Sequence, residues 1–169
     1  VRPSGTTAID PVALLDGNGL VARAIDTARD HATLILPMID EVLAESGTRL
    51  RALDGIAFGR GPGSFTGVRV AAAVTQGLAL GAGLPVLGIS DLRALAVQAR
   101  RALATAAPGS LLLAAMDARM GEIYWGAFDA RAELPGDAQL GEAVGSAADL
   151  PEALRGRVVA AAGKGMAAY

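Results

Sequence analysis

Apolar positions in this chain come in short runs whose spacing changes along its length, and the changes mark out its elements. Val1 to Pro11 has no periodicity and reads as a tail. Val12 to Leu15 and Leu20 to Ile25 flank Asp16-Gly17-Asn18-Gly19, which predicts an antiparallel hairpin. From Asp30 to Ser46 the spacing becomes helical: Leu34, Met38 and Val42 make one stripe, and Ile35, Ile39 and Leu43 make a second beside it. Gly47 is the expected stop, and Pro37 is expected to bend the helix by removing an internal hydrogen bond. So wide an apolar face fits either a core helix of a small α/β domain or a helix buried both on its own sheet and on a partner.

Leu50, Leu53 and Gly55 lead to a strand at Ile56 to Phe58 and then to Gly59-Arg60-Gly61-Pro62-Gly63-Ser64-Phe65-Thr66-Gly67. A helix follows from about Thr66 to Ala82, with Ser64 or Thr66 as its cap. Leu84 to Ile89 reads as a strand, and Ser90 caps a helix from Asp91 to about Leu103 that Pro108-Gly109 breaks. Leu111 to Met116 and Ile123 to Phe128 form a second hairpin around Asp117 to Gly121. Asp129 to Gly145 is loop-like, Ser146 caps a short helix to Arg155, and Val158 to Ala162 is a last strand entering Gly163-Lys164-Gly165. The pattern predicts mixed sheets covered by helices, in two lobes, 1–107 and 108–169, the second reading as incomplete at Tyr169.

Composition changes this picture in three ways. With 52% hydrophobic residues but only 4% aromatic, the core must be built from Ala, Val, Leu and Ile at close approach. A formal net charge of −2 gives no global field for a polyanion, so any nucleic-acid contact would be local or made by a partner. Without cysteine there is no disulfide framework, thiolate nucleophile or Cys-ligated zinc. No apolar run reaches the roughly 18 residues of a membrane helix, and the first residues lack a signal-peptide pattern, so cytoplasmic is the default expectation.

The candidate chemistry centres on the glycine loop, since such loops can aim backbone amides at an anion. Arg60, Gly61 and Gly63 are the phosphate candidates, with Arg69 a second cation near the helix start. Against that, no Gly-Lys-Ser or Gly-Lys-Thr follows, Pro62 removes an amide, and no acid lies about 20 positions on to take a ribose hydroxyl. His31 is the single histidine, and Ile35 stands where an i+4 metal partner would be, which excludes a histidine pair on that face. Asp117, Arg119, Glu122 and Tyr124 crowd one turn, readable as a charged hairpin tip or a partner contact.

Gly59 to Arg69, Gln76-Gly77-Leu78-Ala79, Val86 to Ser90, and Asp117-Ala118-Arg119 with Glu122 and Tyr124 together resemble the bacterial TsaB (YeaZ) family, from about Val12 to Tyr169. The resemblance implies a duplicated actin/Hsp70-like fold of the ASKHA, ribonuclease H-like class. It further implies a non-catalytic subunit that binds no cofactor by itself. Such a subunit associates with a catalytic TsaD-like paralogue and a TsaE-like ATPase, where ATP is used, to place threonylcarbamoyl on adenosine 37 of tRNA. It implies a homodimer when alone and an interface of the first helix and the helix after the loop: Leu34, Ile35, Met38, Val42, Val70, Val74 and Leu78. The family's opening strand, an acid followed by small hydroxyl residues, is not reproduced in Val1 to Pro11, where Asp10 is the substitute. An ATP-binding phosphotransferase or hydrolase of the same superfold is the alternative.

Overall fold

The computed structural model describes residues 9–17, 19–26 and 31–165. By its contacts the chain forms two compact units, one running to Phe58 and including Arg69–Leu87, the other made of Gly59–Val68 and the chain from Gly88 onward. The lobe boundary expected from sequence lies instead at 107/108, so the helix after Ser90 falls on different sides in the two descriptions.

In the first unit, β1 (Ile9–Asp16) and β2 (Gly19–Asp26) form an antiparallel ribbon with Leu14 opposite Val21. The strands are longer than the apolar runs suggested, and residues 9–11, expected in a tail, pair with β2 because ladder hydrogen bonds extend past the apolar positions. Helix α1 (His31–Ser46) packs on this ribbon and contains Pro37. Leu14 of β1 and Met38 and Val42 of α1 are buried, at 7%, 5% and 2% exposure. The helix ends at Gly47, whose φ of 66° a side chain would resist.

Strand β3 (Ile56–Gly59) pairs with β4 (Val86–Ile89) as a separate two-stranded sheet, and α2 (Phe65–Ala82) connects them. Ser64 caps α2, its Oγ accepting from the Gly67 N–H at 3.0 Å. Thr75 and Ala79 are buried on the side of α2 that lines, with Phe58, Leu84 and Val86, an apolar groove of about 600 Å³.

The second unit holds a four-stranded sheet in the order β7-β6-β5-β8: Leu140–Ser146, Glu122–Asp129, Leu111–Arg119 and Val158–Ala162. Strand β5 is central, antiparallel to β6 and parallel to β8. Its run Leu111 to Ala115 is buried throughout because alternate residues enter two cores. Leu111, Leu113 and Ala115 join Ile123, Trp125 and Leu154, while Leu112 and Ala114 join Phe128 and the α3 residues Leu92 and Ala96. Helix α3 (Asp91–Arg101) is capped as expected, the Ser90 Oγ accepting from the Arg93 N–H at 3.2 Å.

Three sequence expectations are corrected in this unit. The stretch expected to be loop-like contains β7, an edge strand whose mostly exposed residues carry little periodicity and which exists through pairing with β6. The helix expected from Ser146 to Arg155 is two 3-10 turns, Ala147–Asp149 and Glu152–Leu154. Between them Leu150 precedes Pro151 and takes ψ 135°, as steric clash with a following proline favours. The second hairpin is tighter than expected, with Arg119 opposite Glu122 and Met120-Gly121 as the turn.

Candidate functional site

The glycine loop leaves β3 and runs back to α2, and its backbone is tied to the strand and helix that follow. The Arg60 N–H donates to the Ile89 carbonyl at 2.8 Å, and the Asp91 N–H donates to the Gly61 carbonyl at 3.0 Å. Gly61 has φ 92°, in the region that favours glycine, and the Gly61–Pro62 bond is cis. These contacts bring the side chain at the first position of α3 into the loop. A Cβ on Gly59 would stand 2.7 Å from Asp91 Oδ1, and one on Gly63 would stand 3.8 Å from Oδ2. A side chain at 59 would force the Asp91 carboxylate to move.

Burial pushes the Asp91 carboxyl above the usual carboxylate range, against the opposing effects of a hydrogen bond from the Gly61 amide and the charge of Arg60; Glu142 on β7 adds to the rise. Arg60 in turn pairs with Glu142, Nη2 to Oε2, at 2.8 Å. The ion pair is half-exposed on the arginine side, so it contributes little to stability by itself. Its position matters more: one guanidinium lies between two acids, and an internal anion already occupies the loop. Arg60, Gly61 and Gly63 are therefore brought together, but around Asp91. An incoming phosphate would meet a carboxylate of like charge there. Sequence reasoning passed over Asp91 because it lies some 30 positions from the glycines and doubles as an ordinary first-turn acid of α3.

The expected interface residues divide by burial. Met38 and Val42 are buried, at 5% and 2% exposure, on the helix that packs against β1 and β2. Leu34 and Ile35, like Ile39 and Leu43 of the second stripe, stay half-buried. On α2, Val70, Val74 and Leu78 are half-buried, while Phe65 and Leu80 are 70% and 83% exposed.

The remaining candidates lie apart from the loop. Residue 31 begins α1, but its side chain lies outside the described residues, as do residues 1–8. Asp117, Arg119 and Glu122 sit at the exposed β5–β6 tip, where Asp117 Oδ1 accepts from the Arg119 N–H at 2.7 Å. Tyr124 packs against the core containing Phe128. Among the described residues no three His, Cys, Asp or Glu side chains are grouped to hold a metal ion. No described helix is long and apolar enough to cross a membrane.

Comparison with known proteins sets this arrangement in a family. Residues 23–167 match the family described as TsaD: tRNA N6-adenosine threonylcarbamoyltransferase. Over 97 residues the chain is 58% identical to the tRNA threonylcarbamoyladenosine biosynthesis protein TsaB of Haemophilus influenzae, covering 57% of this chain and 39% of that protein. Over another 97-residue match it is 50% identical to the protein of the same name from Escherichia coli, covering 57% and 40%. The chain thus spans about two fifths of the length of these relatives. The structure of YeaZ from Pseudomonas aeruginosa superposes with a TM-score of 0.72 at 40% identity, covering 83% of this chain and 63% of that one. The mixed sheets and helices have the actin/Hsp70-like, ASKHA fold expected from the sequence. By these matches the chain belongs to the TsaD family of tRNA N6-adenosine threonylcarbamoyltransferases, within its TsaB/YeaZ group.

Proposed function

We propose that this chain is a scaffold or activator subunit of the bacterial machinery that forms N6-threonylcarbamoyladenosine at position 37 of tRNA, working in the cytoplasm. Its partners are a TsaD-like catalytic paralogue and a TsaE-like ATPase, with self-association when alone. The pathway reading is supported by the kinship with proteins named for that biosynthesis. What carries the non-catalytic reading is the position of Asp91: its carboxylate fills the glycine loop, where a nucleotide-using relative would need an anion cradle. The phosphotransferase or hydrolase alternative is not favoured.

The docking face is the half-buried second stripe of α1 with Val70, Val74 and Leu78 of α2. An aspartate there must be desolvated on association, at a cost of several kcal/mol per buried ion. Ile35→Asp and Val74→Asp should abolish co-purification with the paralogue and the gain in tRNA modification that this chain produces. Equal modification with and without the chain would refute the subunit reading. Calorimetry on the chain with ATP and magnesium should give no heat, and binding lost in Arg60→Ala would instead favour the alternative.

A further inference from the structure

We propose that the second unit carries a phosphate-binding pocket, built from Arg100 and Arg101 at the end of α3 and Arg131 in the loop after β6. These residues, with Leu103 and Glu133, line a cavity of about 400 Å³. Three arginines and one glutamate line it, on a chain whose overall charge is −2, so the local charge is opposite in sign to the global one. Among the described residues neither Arg101 nor Arg131 has an ion-pair partner within 4 Å, and Glu133 pairs with none of the three.

The walls are anchored. Arg93 Nε donates to the Pro135 carbonyl at 2.7 Å, Pro135 is fully buried, and the Arg131 N–H is held by Asp129 Oδ1 at 2.8 Å. Arg100 Nη1 donates to the Leu103 carbonyl at 2.9 Å, which holds its guanidinium against the helix end and partly satisfies the carbonyls there. The Nε–H of the same guanidinium is buried and without a hydrogen-bond partner. Such an orphan charged donor is costly, and a shift of the side chain toward an oxyanion relieves it. A phosphate offers more acceptor oxygens than a carboxylate, so it can take forked N–H pairs from more than one guanidinium at once. Its sources are a free phosphate or the phosphodiester backbone of RNA, and the chemistry is common to both.

The pocket does not depend on the function proposed above, and its test is separate. Arginine Nε–H resonances of the whole chain are followed as inorganic phosphate is added, and binding of tRNA is measured by fluorescence at two salt concentrations. Arg101→Gln and Arg131→Gln change exposed side chains, so folding should be kept. The double variant should weaken whichever ligand binds by about tenfold or more, while Glu133→Gln should tighten it. Phosphate-induced shifts identify a small oxyanion site. An RNA affinity that falls with salt and with the double variant, without phosphate shifts, identifies the backbone as the source. If neither ligand binds, or if the double variant binds as the parent does, the pocket is refuted.

Discussion

Asp91 couples three features that are separate in the sequence: the glycines of the loop, the first turn of α3 and, through Arg60, the edge strand β7. Its carboxyl is raised by burial, so the sign of its pH effect follows directly. A raised folded-state pKa means that its contribution to stability is complete below the ordinary aspartate range and is lost as pH rises through the raised value. Asp91→Asn removes that loss and keeps an oxygen to accept from Gly61. The variant should therefore gain in melting temperature relative to the parent at pH 7, and the gain should shrink toward pH 4. A difference that does not vary between those pH values would show that the carboxylate is not strained by burial. The glycine loop was legible as special from its composition, through Gly61 and Gly63. That the special requirement is a carboxylate of the same chain, rather than a ligand, was not.

At the scale of elements, the β5–β6 hairpin shows a local cost held by the surrounding structure. Met120 is 98% exposed with φ 55°, at a turn that favours Asn-Gly or Gly-Gly, and Arg119 beside it has φ 67°. Left-handed conformation costs a non-glycine residue about 1–2 kcal/mol, so Met120→Gly should raise unfolding free energy by about 1 kcal/mol in chemical denaturation. No gain would mean that the Met120 side chain makes a compensating contact. Helix α1 teaches a different lesson. Its two stripes were visible in the sequence, but nothing in the helical period said which one the hairpin would take. Packing closed off Met38 and Val42 of the first stripe, while Leu34 of that stripe and Ile35 and Ile39 of the second stay half-buried.

For the molecule as a whole, the burial is unequal between its sheets. Strand β5 has neighbours on both edges and a core on both faces, whereas β3 and β4 form a two-stranded sheet with Val86 and Leu87 exposed at 46% and 61%. Two strands alone are marginal in water. Native-state hydrogen exchange should therefore show the amides of Leu112 to Ala115 exchanging slower than those of β3 and β4 by about tenfold or more. Equal protection in the two sheets would mean that a single cooperative unit spans them.

The sequence by itself determined what short-range forces decide. It settled the cap at Ser90, narrowed that of α2 to Ser64 or Thr66, and settled the stop at Gly47, the apolar strand of β5 and the strand at Val158 to Ala162, because each depends on a few neighbouring residues or on a strong apolar run. The tertiary structure decided the rest. Strand β7 exists because β6 offers it a ladder, since its own residues are mostly exposed and weakly patterned. Asp91 enters the loop because β3 and β4 lie side by side and bring residues far apart in the chain to hydrogen-bonding distance. Arg100 and Arg101 at the end of α3 line one cavity with Arg131, and the loop after β6 is tied to α3 through the Arg93 hydrogen bond to the Pro135 carbonyl. In each case the deciding interaction joins residues whose separation along the chain carries no periodic signal, so only the folded backbone could place them.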